Sequence, residues 1–161
     1  MRNVTMKSKD TISAKLAECY ITIGDRRYNF MSMTKAEFKF EKQKTEVAIL
    51  GKTGKGNKST GWKGTFSATM HYNTSVFRQM MLDFKNTGED VYFDCQISNE
   101  DPSSAAGRQT ITFMDCNIDS GILSKFDATS DDPLDEDIDG TFEDFSMPEA
   151  FKELEGMLEQ S

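Results

Sequence analysis

Few residues in this chain have types and spacings that chemistry can use. The run Gly51-Lys-Thr-Gly-Lys-Gly-Asn-Lys-Ser59 has the outline of a phosphate loop. Such a loop, G-x-x-x-x-G-K-[S/T], places a lysine and then a hydroxyl after its second glycine, where they reach phosphate and Mg²⁺. Gly51 and Gly56 fit, but Asn57 stands at the lysine position and Lys58 at the hydroxyl position. A strand pattern follows, so no helix N-terminus stands ready to hold the anion. Asp135-Glu-Asp137-Ile-Asp139-Gly140 matches the first half of a calcium loop, and three carboxylates before a turn-permitting glycine suit a hard cation. The twelfth position of that loop requires a bidentate Glu and holds Ser146. Asp135, Asp137 and Asp139 are therefore weak metal candidates, set against the plainer reading of a solvated acidic segment. His71, the single histidine, lies on the polar side of a strand pattern, without Cys or carboxylate at ligand spacing nearby in sequence. No G-x-S-x-G nucleophile signature is present. Cys19, Cys95 and Cys116 have no C-x-x-C spacing, which argues against zinc. Their odd number and wide separation favour a reducing compartment over a disulfide framework. Cys95 and Cys116 fall in strand patterns and read as small packed residues. No catalytic constellation emerges, and neither an enzymatic activity nor a cofactor is expected.

The elements that must position these residues are mostly strands. Cys19, Ile21 and Ile23 alternate with polar neighbours, and Gly24-Asp25 signals a turn. Ala36, Phe38 and Phe40 alternate with charged residues, and the pattern runs on to Leu50. Residues 51–64 hold five glycines, the lysines Lys52, Lys55, Lys58 and Lys63, and Trp62, a composition that predicts a mobile basic loop. Phe66, Ala68, Met70 and Tyr72 then alternate with polar residues, completing a long hairpin. The period changes at about 75–86, where Val76, Phe77, Met80, Met81 and Phe84 share a helical face between Thr74 or Ser75 as cap and Gly88 as stop. Period two returns at 91–97 and 108–119, with a switch of face near 113–114 that predicts a bulge. Residues 122–128 are a candidate strand, 129–137 an acidic loop, and 138–145 a last strand. Ser146-Met-Pro-Glu149 reads as a capping box opening a helix over 146–160, with Phe151, Leu154 and Leu158 on one side. Residues 1–17 lack periodicity and read as an arm. The expectation is one mainly β domain over 1–161. It would be a small antiparallel β-barrel or sandwich of about seven strands, with one packed helix and a short C-terminal helix.

Charge narrows the function classes. The 161 residues carry 19 Lys+Arg against 27 Asp+Glu, a net charge of −8, which excludes the usual basic nucleic-acid binder. No apolar run is long enough to span a membrane as a helix, and the first fifteen residues lack the apolar core of a signal peptide. The average hides a split: residues 1–63 hold 14 Lys+Arg and 6 Asp+Glu, net +8, whereas 64–161 hold 5 and 21, net −16. A chain with a basic part and an acidic part is suited to head-to-tail self-association.

Longer stretches carry a family resemblance. Phe40-Glu-Lys-Gln-Lys-Thr-Glu-Val-Ala-Ile-Leu-Gly51 and Lys58-Ser-Thr-Gly-Trp-Lys-Gly-Thr-Phe-Ser-Ala-Thr-Met-His-Tyr72 resemble the tail tube proteins of PBSX-like contractile phage tails and related R-type bacteriocins. The likeness continues in Gly107-Arg-Gln-Thr-Ile-Thr-Phe-Met-Asp-Cys-Asn-Ile-Asp-Ser120 and in the Thr-Phe-Glu-Asp-Phe signature at 141–145. It spans roughly residues 10–150 in order, with 1–9 and the segment after Glu149 looking like departures. The resemblance implies a structural protein: six copies form a ring, rings stack into a hollow tube, and neighbouring subunits join their sheets into one barrel. It implies a sheath protein outside and a tape-measure protein inside, with DNA only as passing cargo and no membrane. The protein would belong to the virion tail tube and assemble in the bacterial host cytoplasm. The long hairpin would reach the adjacent ring. Its Lys52, Lys55, Lys58, Trp62 and Lys63 would then form a stacking loop against an acidic segment containing Asp131, Asp132, Asp135, Glu136, Asp137 and Asp139. These acids are candidates for that interface, for a phosphate-repelling lumen wall, or for the sheath side. The alternatives are a tube initiator or terminator of the same fold, and a cation-binding β-module at Asp135–Asp139.

Overall fold

A computed structural model describes residues 5–157 of the protein. A short 3-10 turn, Ser8–Asp10, precedes β1 (Ala17–Ile23) and β2 (Arg26–Asn29), which are joined by a tight turn at Gly24 with φ +62°. β3 (Met33–Val47) and β4 (Gly56–His71) form the long hairpin, and α1 (Val76–Thr87) follows. β5 (Phe93–Glu100), β6 (Arg108–Ser120), β7 (Asp135–Phe142) and β8 (Asp144–Glu149) complete the chain. The strands are hydrogen-bonded in the order β2-β1-β5-β6-β7-β4-β3, with β8 also paired to β6. The mainly β, antiparallel class expected of the sequence is what the strands form; among the described residues the hydrogen-bonded path is open, and its end strands β2 and β3 each have one strand neighbour. The strand count is eight: β2 is an additional strand, the expected last strand divides at Glu143 into β7 and β8, and the expected strand at 122–128 is absent.

Contacts group the described residues into two compact units. Among the described residues, the first comprises 5–31, 93–114 and 145–157. Its core holds Ile21, Phe30, Phe93, Cys95 and Phe113, and the buried Ser98 and Thr110 hydroxyls satisfy each other at 2.9 Å. The second comprises 32–92 and 115–144, with Phe66, Met70, Phe77, Met80, Ile138 and Phe142 buried. Burying each such phenylalanine contributes about 1.5–3 kcal/mol. Helix α1 begins one residue later than the pattern predicts, after Ser75, and ends at Gly88, whose φ of +74° lets its N–H reach the Phe84 carbonyl. Gly140 is required for another reason. A Cβ there would lie 2.1 Å from the Asn117 backbone oxygen and 2.5 Å from the Phe66 ring.

The face switch on β6 occurs at Asp115, which adopts φ +55° between buried Phe113 and buried Cys116. Three sequence expectations give way. The helix over 146–160 is not formed: residues 144–149 are strand β8, and 150–157 contain no helix. Residues 158–160 of that expected helix lie outside the described residues. Pairing with β6, with Phe145 set against Phe113 at a 6.5 Å ring separation, outweighs the capping box. Pro148 suits a strand position whose N–H is not needed, and Gly156 takes φ +83°, which no helix accommodates. Residues 122–128 form no strand. The basic loop is shorter than expected, since β4 resumes at Gly56.

Candidate functional site

The hairpin outruns the sheet that supports it. β3 and β4 stay paired from Met33↔Met70 to Val47↔Gly56, but β7 accompanies β4 only over Gly64–His71. The part of β4 before Gly64 is therefore a projecting two-stranded stem, roughly 25 Å long at the usual strand rise. Aromatic rings stiffen its base: Phe38 stacks on Phe66 at 5.1 Å, Trp62 stacks on Phe40 at 5.0 Å and leans on Phe142 at 6.0 Å. A register shift between Gln43 and Lys44 adds twist to the stem, and the Thr60 hydroxyl donates to the Gln43 carbonyl at 3.2 Å there.

The residues expected on one mobile loop are consequently divided. Lys52 and Lys55 occupy the tip, and Lys55 Nζ lies 3.6 Å from Glu46 Oε2. Lys58, Trp62 and Lys63 are strand residues, opposite Thr45, Lys42 and Glu41. Sequence reasoning did not single out the apolar side chains around these lysines. Val47, Ile49 and Leu50 are exposed, Leu50 completely. The clue was present in the Val47–Leu50 run, which read as ordinary strand interior although its flanking residues are lysines, glutamates and glycines.

The acidic segment is likewise divided. β7 alternates, with Asp135, Asp137 and Asp139 on the exposed face and Glu136, Ile138, Gly140 and Phe142 on the buried face. Neighbours on one face of a strand are roughly 7 Å apart, so the three aspartates form a row and do not converge on one ion. Among the described residues no three His, Cys, Asp or Glu side chains are grouped to hold a metal. Asp137 accepts the Thr69 hydroxyl at 2.7 Å, and Asp135 Oδ1 lies 3.1 Å from His71 Nδ1. The β4–β7 register, which sets His71 opposite Asp135, supplies the histidine with the carboxylate that the linear sequence lacks. Asp131 and Asp132 are exposed in the loop before β7. That loop opens with a turn at Asp127, whose carboxylate is held below its ordinary pKa, first by the Thr129 hydroxyl and then by the Thr129 backbone N–H.

Glu136 does not belong with the surface acids. It is 2% exposed, and Arg78 of α1 donates to its carboxylate at 2.6 Å. The same guanidinium bonds the Thr74 carbonyl and lies 4.3 Å above the centre of the Tyr72 ring. A buried charge held this way fixes a helix to a strand.

The profile of the family described as phage tail tube protein matches residues 4–149. The chain is 36% identical over 146 residues to the phage-like element PBSX protein XkdM of Bacillus subtilis (strain 168), covering 91% of this chain and 96% of the relative. Among solved structures, a chain of the anti-feeding prophage baseplate superposes with a TM-score of 0.64 at 10% identity, covering 88% of this chain and 97% of that one. A chain from the sheath-tube complex of an extracellular contractile injection system gives 0.61 at 15% identity, covering 89% and 94%. At those identities the superpositions establish a shared fold.

Proposed function

The chain belongs to the phage tail tube protein family, and on that premise we propose that six copies close into a ring and that rings stack head to tail into a hollow tube. It is a structural subunit of a phage or phage-like tail tube. The observation that carries the stacking reading is the projecting hairpin. A two-stranded stem is marginal alone, and this one presents apolar Val47, Ile49 and Leu50 beside Lys52, Lys55, Lys58 and Lys63. Docking it on the exposed Asp131, Asp132, Asp135, Asp137 and Asp139 of the next ring buries the apolar tip and pairs opposite charges. The contact joins two different surfaces, as head-to-tail stacking requires.

Ring closure has its own support. Among the described residues β2 and β3 end the hydrogen-bonded path with one strand neighbour each, and edge strands of successive subunits satisfy one another when sheets join. A contractile sheath lies outside the tube in this reading, with a tape-measure protein and, in a phage, DNA inside. The net charge of −8 favours passage of phosphates without sticking. The role is structural and not enzymatic, and assembly takes place in the host cytoplasm.

Negative-stain microscopy of the purified protein tests this. Long hollow tubes are expected. Single rings that never stack would assign the chain to the tube's end as initiator or terminator. Dispersed monomers at high concentration would overturn the proposal.

A further inference from the structure

We infer that Cys19 and Cys95 form a thiol–disulfide site that closes between β1 and β5 when the protein meets a low-molecular-weight disulfide oxidant. Cys19 lies opposite Ile97 and Cys95 opposite Ile21, so the two thiols are diagonal neighbours on the same face of one strand pair. Their sulfurs stand 3.6 Å apart. A disulfide needs about 2.05 Å, so closure takes side-chain rotation together with a small approach of the two strands.

The two thiols differ in the way a relay requires. Cys95 is 2% exposed, whereas Cys19 is only part-buried. The Cys95 thiol beside it lowers the Cys19 pKa, against the opposing effect of burial. Cys19 is therefore the attacking thiolate and Cys95 the resolving thiol. With oxidised glutathione, Cys19 Sγ loses its proton and attacks one glutathione sulfur. A protein–glutathione disulfide forms and the first glutathione leaves as its thiolate, which takes up the proton. Cys95 Sγ then loses its proton and attacks Cys19 Sγ, and the second glutathione leaves with that proton. Two protein thiols are oxidised by two electrons, and one glutathione disulfide is reduced to two thiols.

The bond would close a loop between positions 76 residues apart, a length at which constraint of the unfolded chain is large. The thiols remain open in reducing surroundings and lock β1 to β5 in oxidising ones. This inference does not depend on ring formation.

The test treats the purified full chain with oxidised glutathione and follows intact mass and non-reducing peptide maps. The expected result is loss of two hydrogen atoms, a Cys19–Cys95 linked peptide, and a Tm raised by about 5–15 °C that dithiothreitol reverses. Cys116→Ser should behave like wild type. Cys95→Ser should stop at a glutathione adduct on Cys19. A wild-type protein that keeps glutathione on Cys19, links Cys116 instead, or stays reduced overturns the inference. Because these readouts are made on wild type, they stand even if the Cys95 variant fails to fold.

Discussion

Arg78 and Glu136 meet at 2.6 Å in the second unit, with Tyr72 under the guanidinium and the Thr74 carbonyl as a further acceptor. Removing one member leaves the other charged and buried. Glu136→Ala should cost about 3–5 kcal/mol, a fall in Tm of roughly 6–20 °C by circular dichroism. Asp139→Asn, three residues on and exposed, should stay within about 0.5 kcal/mol of wild type. Equal effects of the two changes would refute the division of β7 into a buried and an exposed face. Gly140→Ala should also destabilise strongly or block folding, because a Cβ meets the Asn117 carbonyl oxygen at 2.1 Å and β6 would have to move. The alternation behind these predictions was legible in Asp-Glu-Asp-Ile-Asp-Gly, but so was a calcium loop. A strand and an ion-binding loop can share those letters, and only the register of β7 on β4 decides between them. The partner of Glu136 was not legible, since Arg78 lies 58 residues away on a helix.

At the scale of elements, the hairpin stem and tip should separate experimentally. Replacing 48–55 by a two-residue Asn-Gly turn removes only exposed or half-buried side chains, so Tm should change by less than about 3 °C while assembly followed by light scattering slows. Normal assembly by that variant would remove the tip from the stacking contact. Lys52→Glu with Lys55→Glu should slow assembly most in dilute buffer, with the difference from wild type shrinking as salt rises through about 0.1–0.5 M. A salt-independent defect would mean that charge plays no part in the encounter. Helix α1 was legible because its apolar face, Ser75 and Gly88 agree with one another. The first half of β4 was not, because Gly56 and Gly61 are poor strand formers and Lys58 and Lys63 mimic a loop. Pairing with β3 and the Trp62–Phe40 stack override that local preference. The same override turns Ser146–Glu149 from a helix start into part of β8.

For the whole molecule, an open sheet, a stem longer than its support and a charge split of +8 and −16 all describe a subunit completed by copies of itself. The split was legible from composition, and the family from the ordered runs at 40–72, 107–120 and 141–145. The open edges were not, because a strand pattern does not say which neighbours it will have. Cryo-electron microscopy of tubes grown from the purified protein tests the central claim most directly. The predicted map has six-fold rings, the β2 edge of each subunit hydrogen-bonded to the β3 edge of the next, and the 48–55 tip seated on the Asp135–Asp139 face of the adjacent ring. A map in which the tips contact no neighbouring ring, or in which β2 and β3 remain unpaired, would contradict it.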